Sequence, residues 1–294
     1  MSDQTFTPSF TPIASLSEIA ARYDGYIVDL WGCLHDGVNA FPAAVAALGE
    51  LKAQGKHVCF LSNGPRRVRT LLRRLDEMGV DRALYDAAMS SGEATWHALK
   101  TRPDAWHAAL GTRCLHLGPP RDNDVREDNG LTIVETVEDA EFILNTGLSE
   151  NDETIEQHEP LLRRGVERRL PMECANPDLV VHVGDQLSLC AGALAARYTD
   201  LGGDVTYHGK PHPLVYEECF RLLEGVPRTR LLGIGDGLRT DVAGANAAGI
   251  DSCLLTAGIH VEDLGTDQPS PRALEELVER IGPRPTWAMP RLAW

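Results

Sequence analysis

Short apolar runs alternate along this chain with longer stretches in which apolar residues recur every three or four positions, and that alternation predicts most of its elements. Tyr26-Ile-Val-Asp-Leu30, His57-Val-Cys-Phe-Leu61, Arg230 to Ile234 and Asp251 to Leu255 have the length and continuity of strands buried on both faces. Helical patterns separate and follow them. Pro42 stands at a first helical position, with Val45, Leu48 and Leu51 at helical spacing and Gly55 as the stop. A basic stretch runs through Arg66, Arg67, Arg69, Arg73 and Arg74 to Gly79, and further helices are predicted over Pro213 to Leu223, Thr240 to Ala248 and Pro271 to Ile281. Ser15-Leu-Ser-Glu18 has capping-box spacing and predicts a short helix ahead of the first strand.

A strand–helix rhythm of this kind implies the α/β class, a doubly wound parallel sheet with helices on both faces. The rhythm breaks near Met89. Ser90-Ser-Gly-Glu93 heads a helix to about Lys100, strands are predicted at Arg113 to Leu117 and Glu141 to Asn145, and an exposed helix covers Glu150 to Arg169. After Lys210 the first rhythm returns. The predicted organisation is a discontinuous core of residues 13–88 and 206–294, interrupted by a second α/β domain at 89–205. Residues 1–12, polar and rich in Thr, Ser and Pro, are expected to lack fixed structure. The tail 283–294, marked by Pro285, Trp287, Pro290 and Trp294, is expected to pack on a surface.

Charge narrows the partners. Among 294 residues, 28 Lys and Arg face 43 Asp and Glu, a net charge of −15 that repels nucleic-acid backbones and anionic membrane surfaces. A protein this acidic needs a cation, or a few placed Lys and Arg, to hold a phosphorylated molecule. The seven Cys form no C-x-x-C pair and their odd number argues against a disulfide framework, as expected in a reducing compartment. No window has the apolar length of a signal sequence or membrane span, so a cytoplasmic protein is expected.

Four polar turns stand at predicted strand ends or loop exits: Asp29-Leu-Trp-Gly-Cys-Leu-His-Asp-Gly37, Ser62-Asn-Gly-Pro65, Gly209-Lys-Pro-His-Pro213 and Gly233-Ile-Gly-Asp-Gly-Leu-Arg-Thr-Asp241. All carboxyl ends of a parallel sheet share one edge, so these turns can meet there. Asp29 alone could be a nucleophile, a metal ligand or a turn-former. Three carboxylates, a hydroxyl and an ammonium brought together suit phosphoryl chemistry: carboxylates for Mg²⁺, Lys and hydroxyl for phosphate oxygens, and one carboxylate to attack phosphorus.

The four motifs, in order, resemble those of the haloacid dehalogenase superfamily. Gly235-Asp-Gly-Leu-Arg-Thr-Asp241 and Gly209-Lys-Pro211 are similar to the fourth and third motifs of its subclass IIA, the p-nitrophenylphosphatase and sugar-phosphatase-like branch. Ala175-Asn-Pro-Asp178 and Cys190-Ala-Gly-Ala-Leu194 resemble segments of that branch's cap. The resemblance implies a Rossmann-like core with an inserted α/β cap, and an Mg²⁺-dependent phosphatase acting on a small phosphorylated metabolite, with a homo-oligomeric state compatible. It implies Asp29 as nucleophile, Ser62 and Asn63 at the phosphate, Lys210 between nucleophile and phosphate, and a metal held by Asp29, the backbone carbonyl of Trp31, Asp236 and Asp241.

One position departs from the pattern. Where phosphatases of the superfamily carry a second Asp, two residues after the nucleophile, this chain has Trp31, whose indole has no proton to give at neutral pH. His35 and Asp36 in the same loop are the candidate substitute acids. Two other readings follow from Trp31: a binder of phosphorylated ligands without turnover, and a dehalogenase, against which the retained Asp236 and Asp241 weigh. Gly203 to Lys210 is not a P-loop, because Pro211 follows the Lys, and Gly233 to Gly237 misses the dinucleotide-binding spacing.

Overall fold

The computed structural model describes residues 7–150, 152–183 and 186–294. In chain order its strands are β1 (Thr11–Pro12), β2 (Gly25–Val28), β3 (His57–Ser62), β4 (Ala87–Ser90), β5 (Arg113–Leu117), β6 (Thr132–Val134), β7 (Phe142–Asn145), β8 (Met172–Cys174), β9 (Val180–Val183), β10 (Gln186–Leu189), β11 (Val205–Tyr207), β12 (Leu231–Gly235), β13 (Asp251–Leu255) and β14 (Trp287–Met289). They fall into a seven-stranded sheet, a five-stranded sheet and the β9–β10 hairpin, so the fold is α/β with Rossmann-like parallel sheets. The chain divides into two compact units, one of residues 1–61, 75–88 and 216–294, the other of 62–74 and 89–215.

The first unit is built on the order β1-β14-β13-β12-β2-β3-β4. β2 and β12 are buried along their whole length, which is why both read as uninterrupted apolar runs. They are parallel neighbours, with Val28 opposite Ile234. From β2 the chain proceeds outward to β3, and from β12 it proceeds the opposite way to β13. The β2/β12 pair is thus the point where the winding reverses, and ligands bind at the carboxyl ends of strands at such a point. The helix Pro42–Ala53 buries Ala44, Ala47, Leu48 and Leu51, and Pro271–Ile281 buries Leu274, Leu277 and Val278 against Phe10, Leu254 and Ala288.

Both chain ends depart from expectation. Residues 1–6 lie outside the described residues, but Thr11–Pro12 form a strand, Phe10 is buried, and Ser9 donates to Glu275 from both its N–H and its hydroxyl. The tail does not lie on a surface: Trp287–Met289 is an inner strand between β13 and β1. Prolines on both sides hid it, because a three-residue strand has no periodicity to read. Trp287 is buried and its indole N–H donates to the Tyr23 hydroxyl at 2.7 Å, which in turn donates to Asp251 at 2.5 Å. Trp287→Ala is expected to destabilise the fold by about 3–5 kcal/mol, measured as a lower midpoint in urea with an unchanged slope.

The second unit carries the order β11-β8-β7-β5-β6, with every neighbouring pair parallel. The helices Ile155–Glu167 and Ala191–Asp200 pack Leu162, Leu194 and Tyr198 against Ile143 and Met172. Leu99, Leu110 and Val125 lie with Cys114, Phe142 and Leu144 in a separate cluster. Sequence patterns predicted β5 and β7 here. β6, β8 and β11 span three residues each, too short for a pattern to register.

Candidate active site

Asp29 follows directly on β2 and is buried, and its N–H continues the ladder to the Ile234 carbonyl at 2.9 Å. Asp236 follows directly on β12. Pairing of the two strands therefore places both carboxylates side by side at the winding reversal. Ligand atoms of Asp29, Cys33 and Asp236 all lie within 4.8 Å of one another, and Cys33 Sγ stands 3.9 Å from Asp29 Oδ2.

Two glycines make room for Asp236. Gly32 has φ +77°, and a Cβ there would stand 2.3 Å from Asp236 Oδ2; a Cβ on Gly258 would stand 2.0 Å from the same oxygen. The Ile259 N–H donates to that oxygen at 2.8 Å. Backbone thus encloses the carboxylate on two sides and fixes its orientation. Two ionised carboxylates this close repel each other, and a hard divalent cation suits such an oxygen donor set. The thiol of Cys33 is too soft a donor for Mg²⁺ and packs beside the pair.

Asp241 is buried, but its Oδ2 accepts from the Gly237 N–H at 3.1 Å and the Thr240 hydroxyl at 3.3 Å. Its carboxylate braces the loop that carries Asp236. That loop continues into a π-type turn, Leu238–Val242, in which the Val242 N–H reaches back to the Gly237 carbonyl. His260 supports it from outside: Nε2 accepts from the Leu238 N–H at 3.2 Å, and Nδ1 faces Asp263 at 3.3 Å. Burial holds the His260 imidazole below its usual range, against the pull of Asp263, which keeps it the neutral acceptor this contact requires.

Trp31 and His35 stack edge to face at 5.5 Å, and the indole lies so close to Gly37 that a Cβ there would be 2.5 Å from its ring. His35 is buried, with Nδ1 accepting from the Gly37 N–H at 3.0 Å, so the neutral ring carries its proton on Nε2. Asp36 does not suit the role of acid. It is exposed, and its Oδ1 accepts from the N–H groups of Asn39 at 2.7 Å and Val38 at 2.8 Å, hydrogen bonds that hold the carboxyl below the usual carboxylate range. Asp36 is an ionised turn-former with no proton to give at neutral pH.

Ser62, Asn63 and Lys210 belong to the second unit. The Ser62 hydroxyl accepts from the Gly64 N–H at 3.1 Å. The Asn63 side chain is engaged by other parts of the chain. Its Oδ1 accepts from the Lys210 N–H at 2.7 Å, while Nδ2 donates to the Lys210 carbonyl at 3.0 Å and to Asp178 at 2.8 Å. With both amide hydrogens engaged, Asn63 fixes the backbone of Lys210, a buried lysine. No role is assigned from sequence to Cys33, Gly32, Gly258 or His260, since their roles depend on close approaches that spacing along the chain does not encode.

Two family models match the chain: one described as haloacid dehalogenase-like hydrolase over residues 26–132, and one described as HAD-hydrolase-like over 207–284. A crystal structure from Brucella suis, titled a hydrolase of the haloacid dehalogenase-like family, is similar at TM-score 0.83 and 33% identity, over 96% of this chain and 100% of that one. The D-glycerol 3-phosphate phosphatase of Mycobacterium tuberculosis is 27% identical over 83% of this chain and 66% of its own. A 5'-nucleotidase of Bacillus subtilis, YutF, is 24% identical over 88% of this chain and 98% of its own.

Proposed function

This chain belongs to the haloacid dehalogenase-like family, and on that premise we propose that it is a Mg²⁺-dependent phosphatase of small phosphorylated metabolites, working through an aspartyl-phosphate. The observation that carries the reading is the buried pair Asp29 and Asp236 at the winding reversal of a parallel sheet, roofed by Gly32 and Gly258. Relatives named as a glycerol 3-phosphate phosphatase and a 5'-nucleotidase support the substrate class.

Asp29, Asp236 and the carbonyl of Trp31 would hold the ion, with Asp241 acting through the loop it braces. When bound, the ion supplies positive charge that offsets the phosphate oxygens. One Asp29 oxygen attacks phosphorus in line, forming a new O–P bond while the bond to the leaving oxygen breaks. Ser62, the last residue of β3, and Lys210 are proposed to donate to the phosphoryl oxygens. His35 Nε2–H is the proton source the loop provides for the leaving oxygen, and the same nitrogen can then take a proton from the water that cleaves the aspartyl-phosphate. Residues 89–205 are proposed as the cap, whose side chains select the leaving group.

The test is phosphate release across a metabolite panel with and without Mg²⁺. Turnover is expected to vanish in chelator and return on restoring the ion. Gly258→Ala, which pushes on the Asp236 carboxylate, is expected to raise the Mg²⁺ concentration needed for half-activity by about 10–100-fold. Undiminished turnover in excess chelator would sink the reading.

A further inference from the structure

The second unit contains a cluster that the proposed hydrolysis does not use. Glu173 is the middle residue of β8 and has no exposed surface. His208 follows β11, the parallel neighbour of β8, and His107 comes from the short helix Ala105–Ala109. All three side chains are at least nine-tenths buried. His107 Nε2 stands 3.3 Å from His208 Nε2 and 3.4 Å from Glu173 Oε1, and His208 Nε2 stands 2.5 Å from the same oxygen. Despite these approaches, neither Glu173 oxygen receives a well-directed hydrogen bond. A fully buried carboxylate in that condition is costly unless a cation faces it.

We propose that His107, Glu173 and His208 bind a divalent transition metal, with Zn²⁺ as the reference ion. A tetrahedral site with metal–ligand distances of about 2.0–2.1 Å has ligand–ligand edges of about 3.3–3.4 Å. Two of the three edges already have that length. The third, at 2.5 Å, needs to open by less than about 1 Å, which would replace a misdirected contact with two bonds to the ion. The donor set decides the class of metal: two imidazoles and one carboxylate suit Zn²⁺ and its neighbours and disfavour Mg²⁺ and Ca²⁺.

A further feature supports a ligand role for His107. Asp104 Oδ2 lies 2.7 Å from His107 Nδ1, while Asp104 Oδ1 accepts from the His107 backbone N–H at 2.9 Å. A carboxylate there favours the tautomer with its proton on Nδ1, which would leave Nε2 to serve an ion held with Glu173 and His208, the orienting arrangement seen behind metal-bound histidines. The adjacent Cys174 is not part of the set, since alternation along β8 sends it to the opposite face, where its Sγ meets the Asn176 carbonyl at 3.3 Å. An ion here would tie β8, the exit of β11 and the Ala105–Ala109 helix together, a structural role in the second unit.

The test uses the full chain carrying Asp29→Asn and Asp236→Asn, which removes the other cluster of metal-ligating groups among the described residues. After chelator treatment it is titrated with Co²⁺, followed by visible absorption, and then with Zn²⁺ in competition. One equivalent of Co²⁺ with the intense bands of a four-coordinate ion, displaced by one equivalent of Zn²⁺, is expected. X-ray absorption of the Zn²⁺ form should show two imidazole ligands, and its melting temperature should exceed that of the stripped protein. Asp104→Asn keeps the helix cap, removes the orienting charge, and should weaken binding by about 10–100-fold; His208→Gln should abolish it. The proposal is overturned if the double variant takes up no stoichiometric Co²⁺ or Zn²⁺, if the bound Zn²⁺ shows no imidazole, or if folded His208→Gln binds as tightly as its parent. The first two outcomes stand even if His208→Gln does not fold.

Discussion

Asp29→Asn is expected to lower phosphate-ester turnover by on the order of 10⁴–10⁶-fold while leaving the fold intact, the size of loss that follows removal of a covalent nucleophile. The two side chains have nearly the same shape, and the Asp29 backbone link to Ile234 does not involve the carboxylate. What changes is chemistry: a carboxamide is a poor nucleophile, and one of the two buried negative charges of the proposed metal site is gone. The variant therefore separates two contributions that chelation alone merges. Loss of turnover that excess Mg²⁺ partly restores would assign Asp29 chiefly to the ion. Loss at every Mg²⁺ concentration, with no trapped phosphoprotein in the variant and an acid-stable, hydroxylamine-labile phosphoprotein in the parent, is the expected result. An Asp29→Asn protein that turns over within tenfold of the parent would end the nucleophile assignment.

Much of that site could be read along the chain because its defining residues sit where local pattern is strongest. Asp29 and Asp236 each end an apolar run, and a parallel sheet is the one architecture that turns such endings into neighbours. What could not be read depends on distance in space. Nothing in the sequence distinguishes Gly32 or Gly258 from any loop glycine until the Asp236 carboxylate is seen against both. Asn63 was recognisable as part of a motif, but the partner of its amide, the Lys210 backbone far along the chain, was not. Glu173 shows the same limit from the other side: a charged residue within a three-residue strand reads as loop, and only the sheet reveals that it is buried between two histidines. The inner strand at Trp287–Met289 was hidden by the prolines beside it.

Trp31 leads to the second large expectation, because the motif resemblance puts it at the position where the superfamily's phosphatases are expected to carry a proton donor. Aryl and acyl phosphates depart as stable anions and need no acid, whereas an alkoxide leaving group does. A positioned general acid is worth about 10²–10⁴-fold, or roughly 3–5 kcal/mol at about 1.36 kcal/mol per tenfold. If the loop lacked any substitute, aryl phosphates would be hydrolysed faster than alkyl phosphates by about that factor, and Trp31→Asp would raise alkyl-phosphate turnover selectively. Of the two candidates in the loop, Asp36 has its carboxylate bound to backbone, and the proposed acid is His35, whose Nδ1 accepts from Gly37 so that the neutral ring carries a proton on Nε2. His35→Asn is therefore expected to depress alkyl-phosphate turnover by about 10²-fold or more and spare aryl phosphates, and Asp36→Asn to change neither by more than its effect on the turn. Trp31 packs edge to face on His35 and against Gly37, so Trp31→Asp also frees the imidazole to move. The informative protein is the double variant Trp31→Asp/His35→Asn, in which recovered alkyl-phosphate turnover assigns the new carboxyl as the acid, and continued inactivity shows that the loop needs the indole for its shape. A parent protein that binds Mg²⁺ and phosphorylated ligands yet hydrolyses neither class would replace the hydrolase reading with that of a ligand-binding member of the family.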